Sequence, residues 1–289
     1  MQHSKRHPSQ LLTSCVAVAV SLSVVATSAA TVRPPANKYT TAQDIKLGRQ
    51  AASQARSQLP MLRDSQVNGY VASVGRRLVA ALPARLRHSG FRYSFEVVNA
   101  RDVNAFALPG GPMFVNRGML SAAQNEGQVA GVIAHELSHV ALRHGTAQAS
   151  KATKYEVGAL AGSIIGAIIG GRVGSVVAQG TRFGLGTAFM RFGREFERQA
   201  DLEGAEIMAR AGYDPQDMAN MFKIIAQRSG SGGPEWLSDH PNPGNRYDYI
   251  SREARTHRVS RPIRVTPAFR AVKARLESLP PAPTLQARR

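Results

Sequence analysis

Apolar side chains recur at three- and four-residue spacing along several stretches of this chain. Between Pro60 and Pro83, Val67, Tyr70, Val71, Val74, Leu78 and Leu82 fall on one face of a helix over 67–82. Ile45, Leu47, Ala51, Ala52 and Ala55 predict an earlier helix over 42–58. The period then changes. Phe91 to Val98 alternates apolar with polar residues and ends in an apolar pair, as a strand does. In "NAFALPGGPMFVNRGML", Pro109-Gly110-Gly111 separates two short apolar runs, which predicts a hairpin. Helices are expected again over 128–144, ended by Gly145, over 195–211, ended by Gly212, and over 216–228 and 246–255. The expected fold is mainly α with a small antiparallel β-sheet, an α+β domain.

Two stretches depart from this pattern. Leu11 to Ala26 is uncharged and mostly apolar, follows Lys5 and Arg6, and precedes the small residues Ser28-Ala29-Ala30. That is the layout of a cleaved export signal over 1–30. The second is a glycine row, Gly158, Gly162, Gly166, Gly170 and Gly174, interleaved with Leu160, Ile164, Ile165, Ile168 and Ile169. Each glycine inside a helix costs up to about 1 kcal/mol against alanine, so the stripe implies a very close contact or no simple helix. Arg172 interrupts the run and leaves it short for a membrane span. Residues 157–179 are therefore expected to form a hairpin that gates a cleft or touches a membrane surface. The remaining division is a domain over 31–255 and a basic, Pro-rich tail over 256–289, with Pro280 to Pro283 poorly ordered.

Composition narrows the setting. The 289 residues are 43% hydrophobic and 19% charged, which excludes a disordered chain. The net charge of +18 suits an anionic lipid or lipopolysaccharide surface. It also suits nucleic acid, but no motif interleaves basic with aromatic residues and the export signal argues against that partner. Cys15, inside the signal, is the only cysteine. The exported domain therefore has no disulfide and depends on core packing and, if one binds, a metal.

The chemistry sits in "GVIAHELSHVALRHG", residues 131–145. His135 and His139 are four apart, one turn on one helical face, so both imidazoles can meet a single ion. Glu136 lies beside the first and can take the proton of a water at that ion, the H-E-x-x-H arrangement of a zinc metallopeptidase. His144 is one residue off the position a metzincin uses for its third ligand, so it is expected to back the site or lie exposed. A third ligand is better sought in "REFERQADLEGAEIM". Glu197 and Asp201 are four apart there. Glu197 can bind the ion, and Asp201 can accept a hydrogen bond from a ligand histidine and set its tautomer. Glu195, Glu203 and Glu206 are the rival carboxylates.

These residues resemble the gluzincin metallopeptidases that include the CaaX prenyl endopeptidases, HtpX and the Oma-type proteases. Within them the chain looks most like the periplasmic BepA- and LoiP-like branch. The resemblance runs from about Ala42 to Arg255 and rests on "NAFALPGG", "HELSHVALRHG", "EFERQAD" and "HPNPGNR". It implies a zincin-like domain with one Zn2+ per chain at His135, His139 and Glu197, and Glu136 as general base. Asp201, His240 and Arg246 match further positions near the site. In BepA-like members the histidine can fill the metal's open position. By chemistry alone His240 can instead stabilise an oxyanion, and Arg246 can pair with Asp201 or the substrate. Asn104, Ala105 and Phe106 match the edge strand beside the cleft, where an extended substrate would add as a further strand. Only a short basic tail follows Arg255, so a helical-repeat array of the BepA kind is not expected. The expected activity is that of a zinc endopeptidase of the periplasm, associated with the outer membrane, acting on unfolded or misassembled envelope proteins. The alternative is a latent or chaperone-like binder with a structural metal.

Overall fold

The computed structural model describes residues 32–151, 193–228, 240–241 and 245–285. The expected export signal over 1–30 and the glycine row within 157–179 lie outside these residues. Helices α1 (Thr41–Gln58) and α2 (Ser65–Ala80) come first, then strands β1 (Ser94–Val98), β2 (Ala105–Ala107) and β3 (Pro112–Asn116). They are followed by α3 (Arg117–Ala122), α4 (Glu126–Ala141), α5 (His144–Lys151), α6 (Arg194–Arg210), α7 (Gln216–Gln227), α8 (Arg246–Thr256) and α9 (Pro267–Ser278).

The helices begin at side-chain caps that the sequence supplies. Thr40 and Gln43 close a reciprocal capping box on α1, Asp64 accepts from Val67 N on α2, and Asn125 accepts from Gln128 N on α4. Every residue of α4 is buried. It is the central helix of the domain, and this is why its polar residues need partners inside the protein. Its close neighbours are chosen by glycine. A Cβ at Gly131 would lie 2.7 Å from the Met218 Cα of α7. A Cβ at Gly204 would lie 3.3 Å from His135 N, so α6 crosses α4 nearly backbone to backbone.

The α+β class is as expected, but the sheet is mixed. Its order is β1-β3-β2. The hairpin pairs β2 and β3 antiparallel, Phe106 opposite Phe114, while β1 pairs β3 in parallel, Phe95 opposite Met113. A hairpin signal fixes only the pair it joins. Where β1 docks is decided by burial, because Phe95, Val97, Met113 and Val115 all face the main core with α2 and α4. On the other face Phe106 and Phe114 stack at 5.0 Å and pack with Leu47, Ala51, Ala52 and Ala55 of α1.

Two other expectations need correction. The α4 helix does not run on to Gly145. It ends at Ala141 with Leu142 as its C-cap, Arg143 turns left-handed with φ 58, and α5 starts at His144. Nor is the C-terminal region a loose tail. Thr266 caps α9, and Phe269, Val272 and Leu276 enter the main core. Buried Arg117 donates to the carbonyls of Leu276, Leu279 and Pro280 at the end of that helix, the place where a cation best meets unpaired carbonyls. Arg101 N donates to Pro283 O at 2.8 Å, and Leu285 N to Asp102 Oδ2 at 2.8 Å. The Pro-rich stretch is held because its carbonyls are acceptors that need no N–H of their own.

Candidate metal centre

The crossing of α4 and α6 brings the expected residues together. His135 Nε2 and His139 Nε2 lie 3.1 Å apart. Glu197 Oε1 is 3.3 Å from His139 Nε2, and its Oε2 is 3.5 Å from His135 Nε2. His240 Nδ1 closes the group, 3.2 Å from His135 Nε2 and 3.0 Å from Glu197 Oε1. All four side chains are buried. Four donor atoms around a tetrahedral ion at about 2.0–2.1 Å stand roughly 3.3 Å from one another, so these spacings suit Zn2+. The chemistry suits it too. Lone pairs and a carboxylate that converge out of water are costly unless a cation joins them.

The outward nitrogens of the two ligand histidines are committed elsewhere. His135 Nδ1 donates to Asp201 Oδ1 at 2.9 Å. Asp201 also accepts from Arg246 Nη2 at 2.6 Å and from the Tyr249 hydroxyl. Arg246 reaches Glu197 Oε2 at 3.2 Å as well, and its guanidinium lies 4.0 Å from the Phe222 ring centroid. His139 Nδ1 meets His144 Nδ1 at 2.9 Å. His144 is fully buried, so of its two expected places it takes the one behind the site. Glu136 stands next to His135 in the chain and is buried, with Oε1 3.4 Å from His240 Nε2.

Electrostatics separates the histidines. Burial disfavours the imidazolium at both. At His135 burial and the Arg246 charge are outweighed by Asp201 and Glu197, which push its pKa up to about 9. At His139 burial prevails, aided by His135 and His144 and opposed by Glu197, and the pKa falls well below the usual 6.5. Glu197 is held well below the usual carboxylate range. There burial is overcome by the charge of His240 and by hydrogen bonds from His135, His139 and His240. A neutral His139 and an ionised Glu197 are the forms that bind a metal.

The rival carboxylates are engaged away from this cluster. Glu203 and Glu206 share Arg85 at 2.9 and 2.8 Å, and Glu195 accepts from Gln199. Asn104, Ala105 and Phe106 lie at the edge strand β2, which packs on α4, but all three are buried. Tyr249, Gln199 and Phe196 were not singled out from the sequence. Tyr249 was legible in principle, three residues after Arg246 and so on the same helical face. Gln199 and Phe196 give no such signal, because their role depends on the turn at Arg143.

This donor set on this α+β frame is that of the zincin-like zinc metallopeptidases. Comparison with known proteins narrows the class. Residues 65–254 match peptidase family M48, and the chain belongs to that family, one of zinc-dependent metalloproteases. It is 33% identical over 210 residues to the beta-barrel assembly-enhancing protease of Escherichia coli (strain K12), a span covering 71% of this chain and 42% of that protein. The Yersinia pestis protein of the same name is 31% identical over 210 residues, with the same coverage. The mitochondrial metalloendopeptidase OMA1 of Saccharomyces cerevisiae is 30% identical over 173 residues, 56% of this chain and 47% of that protein. The chain thus spans less than half the length of these relatives. Among the described residues no helix is long and apolar enough to cross a membrane.

Proposed function

We propose that this protein is an exported zinc endopeptidase that cleaves unfolded or unassembled envelope proteins in the periplasm. The observation that carries it is the convergence of His135 Nε2, His139 Nε2 and Glu197 within hydrogen-bond range of one another, with Glu136 alongside. Export rests on the signal-like residues 1–30. An envelope-protein substrate rests on the likeness to beta-barrel assembly-enhancing proteases.

Zn2+ held by His135, His139 and Glu197 would polarise the scissile carbonyl and make water acidic. The protein supplies the rest. Glu136 accepts the proton of the attacking water and passes it to the departing amine. Asp201 orients His135, and Arg246 balances the charge of Asp201 and Glu197. The substrate lies extended along β2. Because the side chains of Ala105 and Phe106 are buried, that strand offers main-chain groups, which recognise shape and not sequence.

His240 favours a second state of the same site. Its Nδ1 stands with the ligand atoms, where it competes with the attacking water. We read this as a latent form, opened when His240 withdraws. The test is casein cleavage by purified mature protein carrying its zinc. Glu136→Gln should keep the metal and lose about 10²–10⁴-fold in rate, while His240→Ala should cleave faster than the parent. If neither the parent nor His240→Ala cleaves any protein, yet both suppress aggregation as well as Glu136→Gln, the protein is a binder and the peptidase reading is overturned.

A further inference from the structure

Three hydrogen bonds in series lead away from His139. Its Nδ1 meets His144 Nδ1 at 2.9 Å, His144 Nε2 meets Gln199 Oε1 at 3.0 Å, and Gln199 Nε2 donates to Glu195 Oε1 at 3.0 Å. The roles run in one direction. The Glu195 carboxylate accepts, so Gln199 turns its NH2 to Glu195 and its carbonyl oxygen to His144. That oxygen can only accept, so His144 carries its proton on Nε2 and presents the Nδ1 lone pair to His139. His139 then carries its proton on Nδ1. This leaves Nε2 bare toward His135 and Glu197, the form a metal requires.

The backbone is built to place this ring. On an unbroken helix a residue five positions after His139 would point roughly 140° away from it. The left-handed turn at Arg143, φ 58, redirects the chain. Asp44 accepts from Arg143 Nε at 2.5 Å, and Asn37 Nδ2 donates to Arg143 O at 3.3 Å, so the turn is braced from the N-terminal segment. Phe196 of α6 stacks on the His144 ring, centroids 4.4 Å apart and planes 2° from parallel, which sets the plane in which both ring nitrogens find their partners.

We propose that His144 is a positioning residue for the metal: it holds His139 in the tautomer that binds, and Gln199 sets the direction of the chain. The inference rests on the metal centre of the proposed peptidase but needs no cleavage. It is therefore tested on metal binding by the full mature chain, with zinc affinity measured by chelator competition and the ligand field read from the absorption spectrum of the cobalt-loaded protein. His144→Leu should bind zinc about 10–100-fold more weakly and shift the cobalt bands. His144→Asn keeps an acceptor near the Nδ1 position and should recover most of the affinity and the parental spectrum. Gln199→Leu changes a partly exposed side chain, leaves the fold intact, and should weaken zinc by less than His144→Leu. Long-range proton–nitrogen NMR of the zinc-loaded parent should show His144 protonated on Nε2. Parental zinc affinity in His144→Leu or Gln199→Leu, a His144→Asn variant no better than His144→Leu, or a His144 protonated on Nδ1 would each overturn the proposal. A parent that binds no zinc would instead overturn the metal centre itself.

Discussion

His135 and His139 leave one helix on one face, four residues apart, and end with equivalent nitrogens 3.1 Å from each other. Behind them the protein differs. His135 leans on a buried charged network of Asp201, Arg246 and Tyr249. His139 leans on a chain of hydrogen bonds, His144 and then Gln199, that ends at exposed Glu195. Burial lowers the basicity of both imidazoles; at His135 it is outweighed by Asp201 together with Glu197, while at His139 Glu197 alone does not outweigh it, so the two pKa values move in opposite directions. The same ligand chemistry is thus held by two devices: one strong and dependent on charge balance, the other weaker and dependent on hydrogen-bond direction.

The largest effect that can break this comparison is expected at Asp201. Asp201→Ala removes the acceptor of His135 and one of the two carboxylates that balance buried Arg246, so zinc affinity should fall further than in His144→Leu. Leaving a buried charge wholly without a partner costs roughly 3–5 kcal/mol, and because Glu197 still faces Arg246 the loss should be less than that, which a denaturant melt of the metal-free protein would register. Equal losses of affinity in the two variants would mean that the flanks are equivalent. Next comes the ion itself. Stripping zinc with a chelator should lower the thermal midpoint, since a ligand at a hundred times its Kd contributes about 2.7 kcal/mol, and the loss should be smaller in His144→Leu, which begins with weaker binding.

The smallest expected effect comes from a carboxylate on the far side of α6. Glu203 is buried like Asp201, and its ion-pair partner Arg85 is shared with Glu206. Burial, with Glu206 adding to it, outweighs Arg85 and Arg210, and the pKa rises to about 7 from its usual 4.5. The folded protein therefore holds this proton after the unfolded chain has lost it. The stability that Glu203 contributes is complete below about pH 4.5 and is lost as pH rises through about 7. Glu203→Gln should flatten that part of the stability profile, and an unchanged pH slope would show that Arg85 fully balances the charge. On one helix, buried Asp201 is thus turned to His135 and Arg246, and buried Glu203 to Arg85 away from them.

The sequence by itself determined the parts whose partners are close along the chain. The four-residue spacing of His135 and His139 depends on one helix, the caps Thr40, Asp64 and Asn125 on their own first turns, and the β2–β3 hairpin on one turn. Glu197 and Asp201 were legible because a helix fixes their common face. Tertiary structure decided whatever required a distant partner. It placed β1 in parallel beside β3, drew α9 into the core through Arg117 and Asp64, and brought His240 among the ligand atoms. It also gave His144 its place, because that depended on Asp44 bracing Arg143 from 99 positions away and on Phe196 and Gln199 arriving with α6. Local backbone geometry can be read from spacing. The direction of a side chain after a left-handed break is set by whatever packs against it.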